Sequence, residues 1–211
     1  MDRSVMKLYL VTDSTGLTEE DFLRKTEEAL KGGVTLLQLR EKEKSTREYL
    51  ALAEKVHYIS KKYNVPLLID DRIDVALAVG AEGVHLGQSD MPIDIARKLM
   101  GDGYIIGATA KTVPQALESY ENGADYLGVG AIYPTTTKVK TVLTSVETLQ
   151  AICKAVPIPV NAIGGLNKDN INVLKNTDIA GICVVSAIMK ADDTKKATEA
   201  LLHAEEEILK I

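Results

Sequence analysis

Eight short segments of the chain are nearly continuous in apolar residues, at 7–13, 35–41, 66–70, 83–87, 104–110, 126–132, 159–165 and 181–188. Runs such as Leu67-Leu68-Ile69 and Ile182-Cys183-Val184 have the length of strands and little polar alternation, as strands covered on both faces do. Between these segments the period changes to that of a helix. Phe22, Thr26 and Leu30 fall on one face before Gly32-Gly33 stops the pattern. Ser45 and Glu48 form a capping box ahead of a stripe of Tyr49, Leu52, Val56 and Ile59. Thr112 with Gln115, and Thr144 with Glu147, repeat that start signal, and a last helix is predicted over about 193–209.

Strand and helix alternating eight times predict an α/β protein, a single (β/α)8 TIM barrel with an outer ring of helices. An open doubly wound sheet is the alternative. The count of eight and the missing GxGxxG after the first strand weigh against it. Nothing along the chain reads as a linker or low-complexity stretch, so one domain over 1–211 is expected.

The 211 residues, 45% hydrophobic and 26% charged, suit a soluble globular protein of this kind. A net charge of −5 argues against a nucleic-acid or anionic membrane surface as partner. Any anion site must therefore be local, built from a few placed cations and backbone amides. Cys153 and Cys183 lie in apolar segments without CxxC spacing and read as buried, reduced thiols. No apolar run approaches the roughly 20 residues that span a bilayer. The N-terminus runs directly into a strand with no leader pattern, so a cytoplasmic protein is expected.

Polar clusters stand at the carboxyl ends of the predicted strands, where barrels of this type keep their functional residues. The segment Gln38-Leu39-Arg40-Glu41-Lys42 ends the second strand and points Gln38, Arg40 and Lys42 to one face. A carboxamide with two cations suits a multiply charged phosphate or diphosphate. Asp70 and Asp71 end the third strand, and Gln88 and Asp90 follow the fourth. Asp71 and Asp90 can converge on a hard cation such as magnesium; the alternative is that Asp90 caps the helix near Pro92 and Asp71 pairs with Arg72. Thr109 ends the fifth strand, and Tyr133-Pro134-Thr135-Thr136-Thr137-Lys138 follows the sixth as a hydroxyl-rich loop with one cation. Gly164-Gly165 and Val185-Ser186 end the last two strands, where loops often hold a phosphate. His85, inside the fourth strand, reads as a packed or hydrogen-bonded core residue. His57 and His203 read as structural or exposed. Two anion sites at one rim, with a metal beside the first, suggest the joining of two phosphorylated substrates.

These stretches together closely resemble thiamine-phosphate synthases: LYLVTD at 8–13, QLREK at 38–42, LLIDDRIDVALAVGAEGVHLGQSDMP at 67–92, IIGATA at 105–110, ADYLGVGAIYPTTTK at 124–138, AIGG at 162–165 and VVSAI at 184–188. The resemblance spans nearly the whole chain in order. It implies a transferase that condenses a hydroxymethylpyrimidine diphosphate with a thiazole phosphate, giving thiamine monophosphate and diphosphate through a pyrimidine methyl cation. By the same resemblance the pyrimidine diphosphate would meet Gln38, Leu39, Arg40, Glu41, Lys42, Asp70, Thr109 and Lys138. Arg40, Lys42 and Lys138 would act on its phosphates. Asp71 and Asp90 would hold Mg2+, and Thr135, Thr136, Thr137, Gly165, Val185 and Ser186 would take the thiazole phosphate. Thr109 stands where the family usually has serine. Asp70 stands where many members have asparagine, and an ionised carboxylate cannot donate a hydrogen bond; metal binding through water and a protonated carboxyl are the two readings. The expected partners are these small molecules alone, with a homo-oligomer left open. A thiazole tautomerase-like barrel binding one phosphate, and a non-catalytic sensor of thiamine precursors, are the alternative functions.

Overall fold

The computed structural model describes residues 1–135 and 142–209. Strands β1 (Leu8–Val11), β2 (Leu36–Leu39), β3 (Leu67–Asp70), β4 (Gly83–Leu86), β5 (Ile105–Ala110), β6 (Tyr126–Gly130), β7 (Val160–Ile163) and β8 (Gly181–Val184) form one closed parallel barrel in sequence order. Helices α1 (Glu19–Lys31), α2 (Thr46–Lys62), α3 (Ile73–Val79), α4 (Ile93–Met100), α5 (Val113–Glu121), α6 (Val146–Ala155), α7 (Ser186–Met189) and α8 (Thr194–Leu209) complete the fold. None of the described helices is long and apolar enough to cross a membrane.

Side chains alternate across every strand. Leu8, Leu10, Leu37, Leu39, Ile69 and Val84 turn outward into the layer beneath the helices. Met6, Tyr9, Val11, Leu36, Leu68, Tyr126 and Cys183 fill the barrel itself. The strands are shorter than the apolar segments that predicted them. The polar residues that end the strands, such as Gln38, Asp70 and Thr109, or follow them, such as Arg40 and Ser186, come to the C-terminal rim. The Ser45–Glu48 capping box and the Thr112 cap form as expected.

Two elements differ from expectation. The β7–β8 crossover carries only a 3-10 turn, Ile171–Leu174, in place of an α-helix. Asparagine side chains explain it: Asn170 Oδ1 accepts from the Asn167 amide at 2.8 Å and its Nδ2 donates to Gly165 O at 2.8 Å. Such local bonds compete with a helical ladder. The second difference is the cap of α6, which is Ser145, accepting from Thr148 N at 3.2 Å. Thr144 instead donates its amide to Ala131 O at 2.8 Å, tying the helix start back to the exit of β6.

Both cysteines are free and buried, and burial pushes the Cys153 thiol up to about 11. Glu205 on α8 is fully buried, and neither carboxyl oxygen makes a well-formed hydrogen bond. Burial pushes its carboxyl up to about 9, against smaller downward pulls from the Ile182 backbone and Lys7. A folded-state value raised this far means the native chain holds a proton the unfolded chain has released. The benefit is complete in acid and is lost as pH rises towards about 9. Glu205→Gln is therefore expected to flatten that slope and to stabilise the protein by roughly 1–3 kcal/mol at slightly alkaline pH. Urea midpoints of parent and variant at mildly acidic and mildly alkaline pH check it.

Candidate active site

At the C-terminal end of the barrel the inward positions of β2 to β5 change from apolar to polar. Gln38, Asp70, His85 and Thr109 occupy them. With Arg40 they form one wall of an open cavity. Thr135, Gly165, Val185 and Ser186 line the same cavity from the β6, β7 and β8 side. Members of both groups singled out from the sequence thus share a single space, while Asp71 and Asp90 line a neighbouring hollow with Met91 and Leu99. Glycine is required where those loops meet. Gly164 has φ +103°, and a Cβ there would lie 2.3 Å from the Ala131 side chain. Gly165 has φ +66°, and its Cβ would lie 2.7 Å from Tyr133 Cβ. The pair lets the loop after β6 lie against the end of β7, joined by Tyr133 N donating to Gly164 O at 3.0 Å.

The cations sit beside carboxylates. Arg40 receives orientation from Thr12, whose Oγ1 accepts from the Arg40 amide at 3.2 Å. Its Nε lies 3.8 Å from Asp70 Oδ2. Lys42 Nζ lies 2.6 Å from the same oxygen and also donates to Asp71 Oδ2. Burial alone would lower the Lys42 ammonium, but its bonds to Asp70 and Asp71 outweigh that and hold it above the ordinary lysine range. Asp70 therefore stands as counter-ion to the two cations.

Asp71 sits just past β3 with φ +58°, a left-handed conformation that aspartate tolerates better than most residues. Its amide donates to His85 O at 3.0 Å. Asp90 Oδ2 accepts from the Gly87 amide at 2.6 Å. Burial raises the Asp90 carboxyl, and hydrogen-bond contact with the Asp71 carboxyl raises it further. Asp90 makes no side-chain cap to α4, whose first flanking residue is Pro92, and Arg72 pairs with Asp74 at 2.6 Å rather than with Asp71. Two carboxyl groups in mutual contact, with hard oxygen donors and an electrostatic need for a positive partner, fit a magnesium ion that keeps its remaining waters. Among the described residues no cluster of three or more His, Cys, Asp or Glu side chains forms; Asp71 and Asp90 are the carboxylates that would hold the ion.

Several singled-out residues lie elsewhere. Leu39 is 0% exposed and packs outward under the helices; strand alternation puts it opposite Gln38, and its carbonyl accepts from Tyr49 Oη at 2.7 Å. Its side chain therefore cannot meet a ligand in the cavity. Glu41 turns to Ser14, whose Oγ donates to it at 3.0 Å, and burial pushes its carboxyl up. Thr136, Thr137 and Lys138 lie outside the described residues. Lys111 lines the cavity and was not anticipated. It continues the inward parity of Thr109 by two residues, so the strand period carried the signal. His57 is buried between Val79 O and Glu82 Oε1, each at 3.1 Å, and His203 is exposed.

Fold and site define a class: a (β/α)8 barrel whose C-terminal mouth sets a carboxylate-held cluster of cations beside a cavity closed on its far side by the glycine-bearing loop after β7. The family model described as thiamine monophosphate synthase matches residues 8–188. The chain is 50% identical over 209 residues to thiamine-phosphate synthase 2 of Streptococcus pneumoniae, covering 99% of this chain and 100% of that one. It is 51% identical over 194 residues to the thiamine-phosphate synthase of Clostridium tetani, covering 92% and 93%. The solved thiamine phosphate pyrophosphorylase of Pyrococcus furiosus superposes with a TM-score of 0.90 at 42% identity, covering 98% of each chain. The chain belongs to the thiamine-monophosphate synthase family of transferases.

Proposed function

We propose that this one-domain barrel joins an aminopyrimidine methyl diphosphate to a thiazole bearing a phosphate, releasing diphosphate and thiamine monophosphate. One observation carries the reading: Gln38, Arg40 and Thr109 face Thr135, Gly165 and Ser186 across one cavity. Two anionic substrates can therefore lie side by side with their reacting carbons and nitrogens between the walls.

The bond to be broken joins the pyrimidine methylene carbon to a diphosphate oxygen. Diphosphate leaves with the electron pair, and the aminopyrimidine ring supports the resulting cation. The thiazole nitrogen then gives its lone pair to the methylene carbon. No proton moves in either step, so the side chains need only place charge and hold geometry. Arg40 presents fixed donors to the departing oxygens. Lys42, now held by Asp70 and Asp71, has a better anionic partner once diphosphate is present, and its departure leaves Asp71 requiring another cation. Asp71 and Asp90 would hold Mg2+, which supplies positive charge to the leaving group. Lys138 is proposed to add to the same neutralisation. Thr135, Gly165, Val185 and Ser186 are proposed to bind the thiazole phosphate together with Thr136 and Thr137.

Mixing both substrates with magnesium and detecting diphosphate together with thiamine monophosphate tests the reading; release of neither overturns it. Ser186→Ala is expected to raise the Michaelis constant for the thiazole phosphate about 10–100-fold, the worth of one hydrogen bond to a charged group, with the pyrimidine constant little changed. Steady-state titration of each substrate separates the two. An equal rise in both removes Ser186 from the thiazole subsite.

A further inference from the structure

Lys111 lines the cavity but has no part in the chemistry assigned so far. Its place is fixed by its neighbours. Thr109 and Lys111, two residues apart, both line the cavity, as strand alternation requires. The backbone at Lys111 is pinned by the start of α5. Thr112 caps that helix by accepting from the Gln115 amide, and Gln115 Oε1 in return accepts from the Lys111 amide at 2.9 Å. In the register of β5 against β6, Ala110 lies beside Val129. Lys111 therefore stands over the exit of β6, where the loop that carries Thr135 begins.

The charge on this residue is not offset. Lys111 Nζ donates to Val142 O at 3.3 Å, a long bond to an acceptor without net charge, and Val142 is 71% exposed. Among the described residues Lys111 makes no ion pair. The cations after β2 differ in this respect. Lys42 Nζ lies 2.6 Å from Asp70 Oδ2, and Arg40 Nε lies 3.8 Å from it. An ammonium held by a lone carbonyl gives up little when an anion arrives, because a bond to a charged acceptor is roughly twice as strong as one to a neutral acceptor.

A charge of that sign is wanted on this side of the cavity. Thr135, Gly165, Val185 and Ser186 bring hydroxyls and backbone amides, and none of them is basic. Among the described residues that line the cavity, the basic ones are Arg40 and Lys111. Arg40 belongs to the group proposed for the diphosphate, whereas Lys111 follows the strand that pairs with β6. A phosphate monoester carries about −1.5 to −2 charge at neutral pH, and hydroxyls and amides alone leave that charge unbalanced.

We propose that Lys111 is a further substrate-binding residue: its ammonium exchanges the Val142 carbonyl for the phosphate of the thiazole substrate and brings positive charge to that subsite. The assignment rests on the proposed function, whose second phosphate it provides with a cation.

Titration of the two substrates tests this on the full chain. In Lys111→Met, which keeps an apolar stem and removes the charge, the Michaelis constant for the thiazole phosphate is expected to rise at least about 10-fold. That for the pyrimidine diphosphate should stay nearly unchanged. Lys111→Arg keeps a cation and is expected to recover most of the loss. Salt gives a reading that a packing defect does not move. The thiazole-phosphate constant of the parent is expected to climb with ionic strength, and the climb to flatten in Lys111→Met. An unchanged thiazole-phosphate constant, an equal rise in both constants, or parent-like salt dependence in Lys111→Met overturns the assignment. Calorimetric titration of the thiazole phosphate, with magnesium and inorganic diphosphate in place of the pyrimidine substrate, reads binding without turnover. If the parent forms no thiamine monophosphate, the proposed function fails. Weaker binding by Lys111→Met than by the parent in that titration still upholds the phosphate contact, and equal binding overturns it.

Discussion

Arg40→Ala is expected to lower kcat/KM for the pyrimidine diphosphate by about 10³-fold, equivalent to about 4 kcal/mol of lost transition-state stabilisation. The residue lines the cavity while its backbone is fixed by Thr12. Its contact with Asp70 is loose, at 3.8 Å, against 2.6 Å for Lys42. Removing it therefore leaves Asp70 paired, and the fold is expected to keep its melting temperature to within a few degrees. Charge on diphosphate grows as the carbon–oxygen bond breaks, so most of the loss should fall on kcat rather than on KM. Arg40→Lys should recover only part of it, because an ammonium cannot match the two-pronged geometry. Steady-state kinetics with a parallel thermal melt check the prediction. Activity within threefold of the parent would place Arg40 outside the reaction.

The strand count, the barrel and the rim position of Gln38, Arg40, Asp70, Thr109 and Ser186 were legible because each depends on local period alone. The same period distinguishes Leu39 from its neighbours: once Gln38 faces in, Leu39 must face out, so the five-residue motif is not one continuous surface. Lys111 follows from the same parity as Thr109. The helix between β7 and β8 was expected from the strand–helix alternation alone; the asparagines at 167 and 170 carry the competing turn signal. What no single sequence shows is the register between strands. The partnership of Lys42 with Asp70 depends on β2 lying against β3 with Leu39 beside Ile69. The Tyr9–Tyr126 contact joins residues 117 apart and exists only because the barrel closes. Each of these is a long-range consequence of the fold, and the first makes Asp70 a counter-ion.

Asp90→Asn is expected to raise the magnesium concentration needed for half-maximal activity by about 10²-fold. The asparagine oxygen can still accept from the Gly87 amide, the bond that Asp90 makes at 2.6 Å, so the loop after β4 should keep its shape. What is lost is one negative charge from a pair that now repels itself: contact with Asp71 is part of what raises the Asp90 carboxyl. Lys42 offsets this repulsion from the Asp71 side. On the proposed reading Lys42 and a magnesium ion would compete for the same carboxylate, with diphosphate attracting both. Metal binding and diphosphate binding should therefore strengthen each other in the parent, and the coupling should shrink in Asp90→Asn. Manganese titrated by electron paramagnetic resonance, with and without inorganic diphosphate, measures this without turnover. If the variant binds manganese as the parent does and needs no more magnesium, Asp90 serves only to pin the Gly87 loop. The charge balance between Lys42, Asp71 and the leaving group would then have to be met by other residues.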